Sequence, residues 1–511
     1  MSTTYLIKNA GITTFWRTFG MVSGAVLDAV ILAQFGLGSE TDALFASLAI
    51  PMLITSALDV QAPKILIPTF MRSTEDGGDE AASDLICTLI TTFSAILCGA
   101  ALVFSAFAHF LIRMQVPGFQ PSTVNLGVRL FLVLIWLIVF QGLAPLLQSF
   151  LFSRHRYLVP SLSRLITTFP TIVIVTLYHA ELGIYSAAIG MVCGSALQLL
   201  LLGITASAHG LNWKLRWQPT DARVRETLKR FGHPILGHAI SESKVIVENF
   251  LASLLGGGSL AVLRYATRIV EAISGVMLGG IVTSSLPLIS VYASEDKVRE
   301  MKNSVLEAIR FIAFLALPVS SWLIFTGQPM IVLLFERGRF SRVDAAHTAV
   351  LIALLSPYVI FSRLIGITQT PFYAKLDTKT PLLSVILFFG IHITTVLMLS
   401  RRVGIYAFPI ATSFAALMTA VTMSALLHRA FGPLGWRSLK RFGLRMTVVV
   451  SVTICALTVG HLIGGQILSD SFGAKLIRFC VPTALGFTAF LAGSVGVRLL
   501  GRRHLEALVS R

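Results

Sequence analysis

Residues 183–207 read GIYSAAIGMVCGSALQLLLLGITAS, a stretch without one charged side chain. The tripeptide Gly183-Ile184-Tyr185 returns 221 positions later as Gly404-Ile405-Tyr406, opening a second uncharged run over 404–427, GIYAFPIATSFAALMTAVTMSALL. A helix crosses about 30 Å of hydrocarbon in roughly 20 residues, so each run is long enough to span a bilayer. The pair predicts a membrane fold, and a duplicated one.

Twelve further apolar runs accompany these two. They fall near 13–35, 42–70, 85–112, 127–152, 158–178, 233–255, 260–290, 305–326, 343–368, 381–399, 442–463 and 477–497. The fold class expected is therefore an all-α integral membrane protein of about fourteen transmembrane helices. Pro51, Pro63 and Pro68 interrupt the second run and leave the count open by one. Composition agrees: of 511 residues, 55% are hydrophobic and only 13% charged, against roughly 25% charged in soluble domains. That balance excludes a disordered chain and a secreted disulfide scaffold. The five cysteines lie scattered in apolar runs, without metal or redox spacing, and read as small hydrophobes. No cleavable signal precedes the first run.

The net charge of +17 suggests nucleic acid until the charges are located. With the N-terminus inside, the alternate loops and tails on that side hold 23 Lys and Arg, and the opposite side holds 7. The positive-inside rule then puts both termini in the cytoplasm. Basic loops there favour anionic phospholipids, and no nucleic-acid partner is needed.

The repeat extends beyond the tripeptide. Pro160 and Pro381 each open a run after a basic loop, again 221 apart, and residues 33–39 (AQFGLGS) resemble residues 253–259 (SLLGGGS) at nearly that spacing. Six spans per repeat is an even number, so the halves share one orientation about an axis along the membrane normal. The expected organisation is an N-terminal lobe at 1–208 and a basic linker at 209–232. A C-terminal lobe follows at 233–428, with two added spans and a basic tail at 429–511. Pseudo-symmetric lobes of this kind suit alternating access to a substrate held between them.

Charges inside a bilayer cost a few kcal/mol each on insertion scales, so they mark cavities or partners. The first run carries Arg17 and Asp28, and Asp42 opens the second. Asp59 and Lys64 lie among the prolines, near enough to pair across an irregular turn. The seventh run holds His238, Glu242, Lys244 and Glu248; the eighth holds Arg264, Arg268 and Glu271, one helical face at i, i+4, i+7. Arginines in a low-dielectric cleft suit a diphosphate or a carboxylate, gripped by paired hydrogen bonds. The substrate-binding candidates are Arg17, Asp28, Lys64, Arg264, Arg268 and Glu271. Asp42, Asp59, Glu242, Lys244 and Glu248 are candidates for coupling or for structural pairing, Lys244–Glu248 as an i, i+4 pair. For the arginine stripe, pairing to Glu271, Glu242 or Glu248 as interhelical glue is the competing reading.

No enzyme signature is present: no phosphate-binding GxxxxGK[ST] loop, no HExxH and no GxSxG. Gly256-Gly257-Gly258 reads as a tight turn between spans. His238 and Glu242 have a metal-compatible spacing but no third ligand in motif spacing, so neither metal nor cofactor is expected. His233 and His392 read as satisfied helix histidines.

Several motifs, in consistent order from about residue 11 to 430, resemble the MurJ/MviN family. They are GAVLDAVILAQFGLGSETDA at 24–43, Val116-Pro117-Gly118-Phe119, Pro234-Ile235-Leu236-Gly237, Tyr265-Ala266-Thr267-Arg268 with Ser274-Gly275-Val276, Pro371-Phe372-Tyr373-Ala374, and Thr378-Lys379-Thr380-Pro381. The resemblance implies a bacterial inner-membrane flippase of lipid-linked peptidoglycan precursor, with fourteen spans in a fold shared with multidrug antiporters. Arg17, Asp28, Asp42 and Arg268 match family positions, the two arginines being ones that face the cavity. Two positions depart: a family Arg-Asp pair reads Leu27-Asp28 here, and a pair of arginines reads Thr55-Ser56. With the cationic cluster thinned, the reading leans slightly toward another polyprenyl-diphosphate-linked glycan, such as an exopolysaccharide or O-antigen unit. Alternatively, Lys64 or Arg264 replaces the lost charge.

Three functions remain in contention. The first is a flippase of a lipid-linked saccharide, with envelope-synthesis enzymes as candidate partners. The second is a cation-coupled exporter of small organic cations, which predicts a net acidic cavity. The third is a non-transporting scaffold, which has no reason to keep intramembrane charge.

Overall fold

The computed structural model describes residues 3–497 except 215, 219–220, 296, 376, 378, 434, 468 and 470; within helices some side chains, those of Arg17 and His233 among them, lie outside the described set. The described chain is almost entirely helical, with no strand. In chain order the first helices are α1 (Thr3–Phe35), α2 (Ser39–Ala106), α3 (Ala108–Gln115), α4 (Pro121–Leu134) and α5 (Leu137–Ser153). Next come α6 (Leu158–Leu182), α7 (Tyr185–Ala208), α8 (Ala222–Glu242), α9 (Lys244–Ser253) and α10 (Ser259–Ser294). The remainder are α11 (Val298–Phe335), α12 (Arg342–Ala374), α13 (Lys379–Val403), α14 (Ala407–Phe431), α15 (Trp436–Gly465) and α16 (Phe472–Gly496).

Each of the fourteen apolar runs lies on helix. Among the described residues nine helical stretches are long and apolar enough to cross a membrane, and Ser39–Ala106 at 68 residues and Lys379–Phe431 at 53 are each long enough for two crossings. In α2 the backbone leaves helical geometry at Gly77 and Gly78, the latter at φ +71°, a conformation that costs glycine nothing. The helix runs regularly through Pro51, Pro63 and Pro68 instead.

Contacts divide the chain into two compact units. One comprises 1–261 with 338–340; the other comprises 262–337 with 341–511. In the first, α1, α2, α4 and α5 bury Leu27, Ile31, Phe35, Leu44, Leu48, Leu130, Leu134 and Leu137 in one cluster, closed by Val175 of α6 and Ala187 and Ala188 of α7. Burial of each such side chain stabilises by about 1.5–3 kcal/mol when water is the alternative; facing lipid, close packing supplies the gain. The acidic segment after the α2 break meets basic loops of its own unit. Arg154 pairs with Asp79, Lys214 lies 3.3 Å from Glu80, and Arg216 lies 2.7 Å from Asp84. Those three loops therefore share one end of the unit, as an even number of crossings between them requires.

In the second unit α16, the last of the two helices beyond the repeat, is anchored to α11. Trp322 Nε1 donates to Thr483 Oγ1 at 3.0 Å, Phe314 packs on Phe490, and Lys475 pairs with Glu336 at 3.2 Å. One pair of helices follows the repeat to the residue: α6 and α13 are each 25 residues long and begin and end 221 positions apart. Gly183 and Gly404, which follow them, share a left-handed φ of +55° and +58°.

Candidate substrate-binding site

In the first unit the polar positions gather on α1. Asp28 is 6% exposed, unusual for a carboxylate in an apolar helix. Arg17 lies three turns earlier on the same helix, and its side chain is outside the described set. A further charge lies against this helix. Arg164 of α6 lies along α1: a Cβ at Gly20 would stand 3.0 Å from Arg164 Cβ, and one at Gly24 only 3.1 Å from Nη2. Ser23 Oγ meets Thr168 Oγ1 at 2.8 Å and fixes the register of the two helices.

Asp42 has a defined structural task. Its carboxylate accepts the backbone N–H of Gly258 at 2.5 Å and of Ala261 at 2.7 Å. It thereby caps the opening of α10, whose first N–H groups have no partner within the helix. Asp59 and Lys64 are both exposed on a regular stretch of α2. There is no irregular turn between them, and a five-residue step on a helix turns side chains roughly 140° apart.

The seventh run forms α8 and α9 with a turn at Ser243. His238 Nε2 lies 3.1 Å from Ser56 Oγ and 3.9 Å from Glu242 Oε1. Lys244 pairs with buried Glu248 at 3.3 Å, the i, i+4 geometry expected of structural glue. Among the described residues no group of three or more His, Cys, Asp or Glu could hold a metal.

In the second unit Arg264, Arg268 and Glu271 lie on unbroken helix α10, so the i, i+4, i+7 spacing does put them on one face. Both arginines are half-buried and Glu271 is exposed. Arg363 of α12 adds a guanidinium beside this stripe, donating from Nε at 3.2 Å and Nη2 at 2.9 Å to Ser274 Oγ. Arg164 and Arg363 both sit inside apolar runs. A charge census of the fifth and tenth runs, rather than of the front of each repeat, would have found them.

Electrostatics outside the spans are local. The Arg223 side chain donates to Asp221 and holds its carboxyl below the usual range, and Thr380 does the same for Asp377. Asp377 accepts from the N–H of Lys379 and Thr380 at 2.9 and 3.2 Å and so caps the start of α13.

A family model described as "Lipid II flippase MurJ" matches residues 31–474. The chain belongs to the MurJ family. As a member it is a multi-pass membrane transporter and not an enzyme. A "Probable lipid II flippase MurJ" of Buchnera aphidicola subsp. Acyrthosiphon pisum is 26% identical over 373 residues, 71% of this chain and 72% of that protein. A protein of the same description from Bdellovibrio bacteriovorus is 21% identical over 506 residues, 97% of this chain and 96% of that one. The structure titled "Lipid II flippase MurJ, inward closed conformation" superposes with a TM-score of 0.77 at 20% identity, covering 96% of this chain and 99% of that one. An inward-facing multidrug resistance MATE family transporter follows the same fold at TM-score 0.68 and 17% identity, with 81% and 95% covered. The MurJ fold thus accounts for the helical architecture beyond the apolar count.

Proposed function

We propose that this chain is a flippase carrying a polyprenyl-diphosphate-linked saccharide, lipid II in the first instance, from the inner to the outer leaflet of a bacterial inner membrane by alternating access. The single observation that carries the reading is the MurJ family match over 31–474. The polar side chains fit the task. Arginines in apolar helices are costly unless they serve an anionic ligand or a partner, and Arg17, Arg264 and Arg268 fall at such positions. Within the first unit Arg17 and Lys64 offer positive charge to the diphosphate, with Asp28 on the same helix as Arg17. Within the second unit Arg264 and Arg268 do so, with Glu271 on their own helical face. Asp42, Lys244 and Glu248 hold structure. The basic loops face the cytoplasm with both termini and meet anionic phospholipids, and envelope-synthesis enzymes supply the substrate.

A second reading keeps the mechanism and changes the glycan to an exopolysaccharide or O-antigen repeat unit. Leu27 and Thr55-Ser56, neutral where the family carries arginine, favour it. Depletion of the chain, followed by identification of the lipid-linked sugar that accumulates, separates the two. Lipid II is the expected product; another polyprenyl-diphosphate glycan establishes the second reading, and no lipid-linked sugar at all refutes the flippase.

A further inference from the structure

Arg164 stands in a 25-residue helix long and apolar enough to cross a membrane, and it is exposed there. An arginine in such a helix faces a polar route or a partner rather than hydrocarbon, because the insertion cost is otherwise several kcal/mol. Its position is built rather than incidental. The stem passes Gly20 and the guanidinium lies over Gly24, where a Cβ would meet Nη2 at 3.1 Å and Nε at 3.3 Å. The three atoms nearest to a Cβ at either glycine all belong to Arg164. Two glycines four apart thus form a trough along α1 shaped by this one side chain, and the Ser23–Thr168 hydrogen bond holds the trough in register. Asp28 is the next position along the Gly20–Gly24 row, so the side chain runs toward the buried carboxylate.

We infer that Arg164 is a diphosphate-binding residue of the first unit, held at its level on α1 by the Gly20–Gly24 trough. The inference rests on the flippase reading. A planar guanidinium can grip two diphosphate oxygens at once, which a monophosphate offers in fewer geometries and an ammonium cannot match. With Leu27 neutral, Arg164 is a cation that the structure brings to this part of α1 from a different helix.

The test uses the purified full chain in detergent and two probes, a short-chain prenyl-diphosphate disaccharide and its monophosphate counterpart. Wild type should prefer the diphosphate probe. Arg164→Gln should bind it about tenfold more weakly, the scale of one lost charge-assisted hydrogen bond, and lose most of the preference. Arg164→Lys should fall between, keeping charge without the fork. Gly24→Leu, which displaces the guanidinium but leaves it in the chain, should reproduce the loss and serves if Arg164→Gln does not fold. Unchanged diphosphate preference in a folded Arg164→Gln or Gly24→Leu protein overturns the inference while leaving the flippase intact. A wild-type chain that binds neither probe refutes the flippase reading, and this inference falls with it.

Discussion

The hairpins α6–α7 and α13–α14 descend from one sequence pattern and are packed by different chemistry. Both turn at a left-handed glycine, Gly183 or Gly404, with open space where a Cβ would go. In the first hairpin the helices approach to backbone contact: a Cβ at Gly194 would stand 2.3 Å from Thr167 O, and one at Gly190 2.8 Å from Thr171 Cα. The positions 221 residues on are Ala411 and Ala415, both fully buried, facing a helix that carries Phe388 and His392 in place of the two threonines. There Phe388 and His392 stack with ring centroids 6.2 Å apart, and His392 Nδ1 lies 3.4 Å from buried Thr412 Oγ1. The first hairpin is a small-residue seam of the kind that lets membrane helices touch, and the second is a side-chain-filled one. The first helix keeps its bounds and the turn its glycine in both hairpins, while the layer between the helices differs.

The largest expected effect separates the two fillings. Gly194→Ala should destabilise the detergent-solubilised protein by about 3 kcal/mol, because backbone rather than a flexible side chain blocks the new methyl. The reciprocal Ala415→Gly should cost only about 1 kcal/mol, mostly helix propensity. Equal losses in thermal unfolding would show that the seams are packed alike.

The shared frame predicts the opposite outcome at the turns. Gly183→Ala and Gly404→Ala should each cost about 1 kcal/mol, since both impose a left-handed residue with no added clash. A clear inequality between the two melting curves would break the claim of a common turn.

A smaller asymmetry lies at the helix starts. Asp377 caps α13, whereas Arg156 occupies the corresponding place before α6. Thr380 holds the Asp377 carboxyl below its ordinary value, so its stabilising contribution is present above the ordinary aspartate range and is lost as pH falls through the lowered value. Asp377→Ala should therefore lower the melting temperature at neutral pH and leave it little changed below the lowered value, which flattens the acid limb; an unaltered acid limb would remove the cap from the account.

Much of this fold is legible before any coordinates. The apolar runs and the 221-residue offset follow from composition and position alone, because a bilayer permits few alternatives to helix. The i, i+4, i+7 stripe at Arg264, Arg268 and Glu271 was equally readable. Arg164 is visible as a charge in an apolar run, but its placement is not, because that depends on which helix its stem lies against, and nothing local to residues 158–178 names Gly20 and Gly24. Asp42 reads from sequence as either a coupling or a structural charge, and only the fold supplies its partners, the N–H groups of Gly258 and Ala261. The prolines of α2 suggested an irregular turn, yet the break came at Gly77–Gly78, where backbone freedom is greatest.

The central claim is most directly tested with the purified chain in liposomes loaded with fluorescent lipid II, reading the fraction of label that reaches the opposite leaflet. Wild type should translocate lipid II, and Arg268→Ala, inserted to the same level, should not. Translocation by Arg268→Ala at the wild-type rate, or none by wild type, would contradict the account.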